Sequence, residues 1–161
     1  MKIILLFYHM NALLKIFFYK VIYGCHVNIS VKSTFRKSFQ LIVAGKGKIN
    51  ISSGVFFNNY CSISVIDSEV TVKENTYFGE SVKIYDHNHR FRNKNRPIKE
   101  QGFSCESVTI GHDCWIGSNV VILKGVNIGN NVVVGAGCVI YRDIPDNKIV
   151  KNNQNLIFED Y

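Results

Sequence analysis

The sequence has no block of five like charges, no Cys-x-x-Cys pair and no unbroken apolar stretch long enough to cross a bilayer. Each absence excludes something. Without a charge block, a nucleic-acid-binding tail is not expected. Five cysteines, an odd number, without paired spacing argue against a disulfide framework, and we expect reduced thiols in a cytosolic protein. The apolar pieces Ile3 to Tyr8 and Ala12 to Tyr19 are interrupted by His9, Asn11 and Lys15, whereas a spanning helix needs about 20 apolar residues. No small-residue cleavage site follows, so a signal peptide is not expected. The expected element is an amphipathic helix over residues 2–22, in a segment 1–24. It either caps the rest of the fold or touches a membrane surface, which would place the protein at the inner face of the membrane.

What is present is a period. From Ile110 to Pro145 the chain divides into sixes: IGHDCW, IGSNVV, ILKGVN, IGNNVV, VGAGCV, IYRDIP. The first residue of each is Ile or Val. The fourth is Asp113, Asn119, Gly125, Asn131, Gly137 or Asp143, types that enter left-handed backbone at low cost. The fifth is small or branched, with Cys114 and Cys138 among them. Neither a helical period of 3.6 nor strict alternation fits this run. A short strand followed by a sharp corner, repeated, does. Three strands and three corners close one coil, and stacked coils bury a thin column of Ile, Val and Cys.

The frame extends upstream with Ile51, Phe57, Ile63, Val72, Phe78 and Ile84 as inward positions. Stacking predicts three faces. Ile51, Val72, Ile110 and Ile128 form the first; Phe57, Phe78, Ile116 and Val134 the second; Ile63, Ile84, Ile122 and Ile140 the third. Residues 25–50 read as an imperfect first coil with Ile42 inward. The steps Ile42 to Ile51 and Ile63 to Val72 carry extra residues at a corner. The period breaks after His89, and residues 90–107 form a basic loop; an excursion of that length is usually functional. A β domain over 25–150 and a tail over 151–161 complete the division.

This run resembles the hexapeptide-repeat acyltransferases, including galactoside, maltose and xenobiotic acetyltransferases and polysaccharide O-acetyltransferases. The resemblance covers roughly residues 48–150. It implies an all-β fold, a left-handed parallel β-helix, which departs from the usual right-handed crossover. It also implies a homotrimer with acetyl-CoA as co-substrate, no metal, and a saccharide hydroxyl as acceptor, in a capsular or O-antigen setting. Acetylation of an amino sugar and a non-catalytic scaffold are the alternatives.

His89 ends IYDHNH where the loop departs, the place at which these relatives carry a histidine general base. An unprotonated imidazole there takes the proton from the acceptor hydroxyl, which attacks the thioester. His87 stands two residues earlier, and Asp86 beside it is able to orient a histidine. His87, His89 and His112 lack the spacing of the zinc-binding relatives. By resemblance Asn58, Asp67, Tyr85 and Trp115 meet the acceptor, with Asn59 one residue from Asn58. Trp115 and Ser118 also flank the thioester. The motif G-A-G-C-V-I-Y-R-D-I-P resembles the family's CoA-lining segment: Gly135 and Ala136 leave room for pantetheine, and Tyr141 and Arg142 meet its polar end. The family's closing G-N-P-A-K is absent; Lys148 and Lys151 stand there instead. The net charge of +7 fits an anionic partner, and the basic loop points to an anionic acceptor.

Overall fold

The computed structural model describes residues 2–153, with side chains from residue 8 onward. A helix, Lys2–Tyr23, leads into a parallel β-solenoid of about five coils. Its short strands assemble into three parallel sheets, one per face. The first sheet stacks Val27–Ile29, Lys48–Ile51, Glu69–Val72, Val108–Ile110 and Asn127–Ile128. The second runs from Thr34–Phe35 through Phe56–Phe57, Tyr77–Phe78, Trp115–Ile116 and Val133–Val134 to Ile149–Val150. The third holds Gln40–Val43, Ser62–Val65, Lys83–Tyr85, Val121–Ile122 and Val139–Ile140.

The period of six produces this register directly. Ile51 lies beside Val72, Val72 beside Ile110 and Ile110 beside Ile128. Phe57, Phe78, Ile116 and Val134 align in the same way, as do Ile63, Ile84, Ile122 and Ile140. Each inward side chain therefore stacks on its counterpart one coil away, and all of these residues are buried. Val55, Cys61, Val82 and the fifth positions from Cys114 to Ile144 fill the corners and are buried too. The fourth positions from Asp113 through Gly137 adopt positive φ, as at Asn119 (58°) and Gly125 (79°). Tyr60 (61°) and Ser81 (58°) do so as well, against the preference of larger side chains. Close stacking explains the glycines at the second position: a Cβ on Gly117 would stand 2.6 Å from the Ala136 amide nitrogen.

The first coil departs from the expected frame. Leu41, not Ile42, points inward and pairs with Ile63; Ile42 is exposed. Three adjacent apolar residues, Leu41, Ile42 and Val43, left the frame ambiguous by one position. The column there is aromatic: Phe35, Phe39, Phe57 and Phe78 stack in succession, with Phe57 and Phe78 4.2 Å apart.

The helix closes this end. Ala12 is fully buried, Ile16, Tyr19 and Tyr23 pack on the core, and the Tyr19 and Tyr23 hydroxyls donate to the carbonyls of Phe39 and Leu41. At the other end Ile149–Val150 adds a strand beside Val133–Val134, so the sheet continues past the last complete six. Of the expected tail, residues 154–161 lie outside the described residues.

Candidate active site

The solenoid has three edges. The edge between the third and first faces carries the excursion, which is not a structureless loop. His87–His89 pairs antiparallel with Phe103–Cys105, setting His87 opposite Cys105 and His89 opposite Phe103. Only residues 90–102 form the tip, which contains a short 3₁₀ turn at Ile98–Glu100. His87 thus stands at the base of the ribbon, against the solenoid, and His89 lies two residues further out.

Asp86 marks the difference between the two histidines. Its side chain is fully buried. The Ile66 and Ser68 amides donate to its carboxylate at 2.9 and 3.0 Å, and the Ser68 hydroxyl donates at 3.1 Å. His87 Nδ1 lies 2.7 Å from the remaining oxygen. Burial pushes the carboxyl up, but the bonds from His87, Ile66 and Ser68 outweigh it and hold Asp86 below the usual carboxylate range. An ionised Asp86 only accepts, so Nδ1 carries the hydrogen, and in a neutral ring that leaves the lone pair on Nε2. Ile66 and Ser68 belong to the extra residues between Ile63 and Val72. The corner extension therefore builds the amide cradle that fixes Asp86.

His89 has a different environment. Its ring is exposed and lies against Phe103 at 4.6 Å. No polar partner for it appears among the described residues. Tyr85 and Phe103 meet the His87 ring edge-on at 6.1 and 5.1 Å, so Tyr85 does stand beside the histidine with a fixed tautomer. Asp67 lies on the same edge one coil earlier, where its carboxylate accepts the Lys46 amide of the preceding coil. The corner extension that holds Asp86 thus also supplies a cap to the coil before it.

The remaining candidates fall in two places. Asn58, Ser118, Gly135 and Ala136 share the edge between the second and third faces. There Asn58 accepts from Arg36, Asn59 bonds to Lys37 and Glu80, and the Ser118 hydroxyl accepts the Glu80 amide. Trp115 stands outward on the second face, 59% exposed, between Tyr77 and Val133. Gly135 has a stacking role: an added Cβ would lie 3.2 Å from the Val150 carbonyl oxygen.

Tyr141 and Arg142 instead lie on the edge of His87, two coils further on, a rise of about 10 Å. With Lys148 and Lys151 they line a cavity of about 550 Å³ at the open end. A second cavity, of about 590 Å³, runs along the excursion between Asn88, Arg90, Arg92, Arg96 and Lys124. No cluster of three metal-binding side chains occurs among the described residues; His112 bonds to its neighbour Asp113.

Comparison with known proteins decides the family. The bacterial transferase hexapeptide profile of six repeats matches residues 107–142. The chain is 34% identical over 142 residues, 84% of its length and 72% of the relative's, to WbbJ of Escherichia coli, a protein named for lipopolysaccharide biosynthesis and O-acetyl transfer. The chain belongs to the hexapeptide-repeat acetyltransferases. It is also 36% identical over 94 residues to the galactoside O-acetyltransferase of Escherichia coli, of which it spans only 45%. A hexapeptide-repeat acetyltransferase of Vibrio cholerae superposes with a TM-score of 0.65 at 27% identity, over 81% of this chain and 69% of that one. The same Vibrio protein has been solved with acetyl-CoA bound; that structure matches with a TM-score of 0.58, also at 27% identity, over 73% of this chain and 64% of the other. The solenoid is accordingly the left-handed β-helix of this family, and acetyl-CoA is the family's co-substrate.

Proposed function

We propose that the protein moves acetyl from acetyl-CoA to a saccharide hydroxyl, with His87 rather than His89 as general base. The observation that carries this is the buried carboxylate of Asp86, held by three donors and 2.7 Å from His87 Nδ1. Asp86 positions the ring; Nε2 takes the hydroxyl proton as the oxygen attacks the thioester carbonyl. Collapse of the tetrahedral adduct breaks the carbon–sulfur bond. The proton passes from the imidazole to the leaving sulfur, giving CoA and the acetyl ester. Two relatives named for O-acetyl transfer support oxygen over nitrogen as the nucleophile, and the name of one supports a bacterial surface saccharide as acceptor.

The site is shared between subunits. Within one chain, His87, Tyr85 and Arg142 occupy one edge, while Asn58, Ser118 and Ala136 occupy another and Trp115 a face. A homotrimer in which one subunit's His87 edge meets a neighbour's Asn58 edge brings the two sets to one groove. Arg142, Lys148 and Lys151 then receive the phosphates of CoA. The basic cavity beside the ribbon favours an anionic acceptor.

The test is mass spectrometry of bacterial surface glycans after incubation with acetyl-CoA and protein. A gain of one acetyl group, removed by mild base, is expected. Base-stable acetyl would mean an amide, and no acetyl transfer together with no CoA binding would mean a scaffold. Light scattering should report a trimer; a fully active monomer would contradict the shared groove.

A further inference from the structure

The N-terminal helix has two apolar faces, and the core uses only one. Ala12, Ile16, Tyr19 and Tyr23 point inward. On the opposite side, centred about 180° away at about 100° per residue, stand Met10, Leu14, Phe17 and Val21, with Phe18 at their flank. Leu14, Phe17 and Val21 are each more than 65% exposed, and no partner covers them among the described residues. Lys15 and Lys20 lie between the two faces, their ammonium groups bonded to the Arg36 and Val27 carbonyls. An apolar groove of about 920 Å³ runs beside this stripe, between Leu14, Phe17 and Phe18 and the first-coil residues Arg36 and Lys37.

The charge of the chain is concentrated at the same end. Residues 1–66 contain eight Lys and Arg and no Asp or Glu; the remaining residues contain eleven Lys and Arg against twelve Asp and Glu. The end that carries the helix is therefore +8 and the rest is −1, which sums to the +7 of the whole chain. Lys32, Lys37, Lys46 and Lys48 of the first coil are all exposed.

From these two features we infer that the outward helix face docks on an anionic lipid surface. Aromatic and aliphatic side chains enter the interface, and the acid-free first coil meets the headgroups. A second copy of the chain is disfavoured as the occupant, because a two-fold contact would press two +8 ends together. No described helix is long and apolar enough to cross a membrane, so the geometry is that of a helix lying on the surface. This inference goes beyond acetyl transfer and does not depend on which histidine is the base.

The experiment is co-sedimentation of the full chain with two kinds of vesicle, pure phosphatidylcholine and phosphatidylcholine with about one-third phosphatidylglycerol. Binding to the anionic vesicles alone is expected, and it should weaken as salt rises. Replacing Phe17, Phe18 and Val21 together with Ser leaves the inward face intact; the variant should keep the wild-type circular dichroism and lose binding. Lys32→Gln, Lys37→Gln and Lys46→Gln together should lower the partition coefficient on the order of 10²-fold. Equal binding to both vesicles, or to neither, overturns the inference. So does a Ser variant that binds as wild type. Lipid-free self-association that the Ser substitutions abolish, without vesicle binding, would assign the face to a second copy.

Discussion

Replacing Asp86 by Asn changes almost nothing in shape and inverts one hydrogen bond. The amide oxygen can keep the Ile66 and Ser68 amides. Its –NH₂ group then faces His87 Nδ1, which must accept, and the ring hydrogen moves to Nε2. A ring protonated at Nε2 cannot take the acceptor's proton. The loss expected in kcat is that of general-base catalysis, on the order of 10²–10⁴-fold, or about 3–5 kcal/mol of barrier. Stability falls less, by about 1–3 kcal/mol, because the carboxylate's charge-assisted bonds weaken while the cradle remains. Release of CoA thiol at saturating acetyl-CoA reads the first quantity, and urea unfolding reads the second. Stability against pH adds a third reading. Asp86 is held below its usual range, so the folded state binds its proton less readily than the unfolded chain. Its contribution is present above the usual carboxylate range and is lost as pH falls through the folded value. The Asn variant should lack that part of the acid sensitivity. An Asn variant with wild-type turnover would refute the positioning role of Asp86.

Phe57→Ala removes a fully buried ring stacked on Phe78 and tilted against Phe39 and should cost about 3–5 kcal/mol in urea unfolding. A loss well below that would mean that the aromatic column collapses around the gap. Arg142→Ala should raise the KM for acetyl-CoA with little change in kcat, since it removes binding common to ground and transition states; an unchanged KM would place the phosphates elsewhere. Arg92, Lys94 and Arg96 replaced together with Ser should raise the acceptor KM at low salt and less at high salt. Identical behaviour toward anionic and neutral acceptors would remove the loop from acceptor choice.

The hexad frame was readable because each buried position recurs every six residues and its neighbours are polar or turn-forming. From Ile51 to Ile140 all three inward columns followed from the text alone. The frame slipped where that contrast failed, at Leu41 and Ile42. The histidine was harder. The letters HNH offer two equivalent candidates, and the resemblance pointed to the one nearer the loop. What separates them is the burial of Asp86 and the amides of Ile66 and Ser68, supplied from one coil earlier. The signal available was indirect: an Asp immediately before His87, and three extra residues between Ile63 and Val72. The same extension also sets the Asp67 carboxylate to accept the Lys46 amide of the neighbouring corner, a contact the spacing did not reveal. The expectation that acetyl-CoA and acceptor lie between adjacent subunits came from the resemblance alone, because spacing within one chain does not reveal which edge faces another subunit.

The proposal that His87, fixed by Asp86, takes the acceptor's proton separates two variants. Single-turnover acetyl transfer by His87→Ala and His89→Ala, both loaded with acetyl-CoA, tests it most directly. The His87 variant is expected to bind acetyl-CoA and transfer on the order of 10²–10⁴-fold more slowly, while the His89 variant stays close to wild type. Rapid transfer by the His87 variant with loss in the His89 variant would contradict it and move the base two residues along the ribbon.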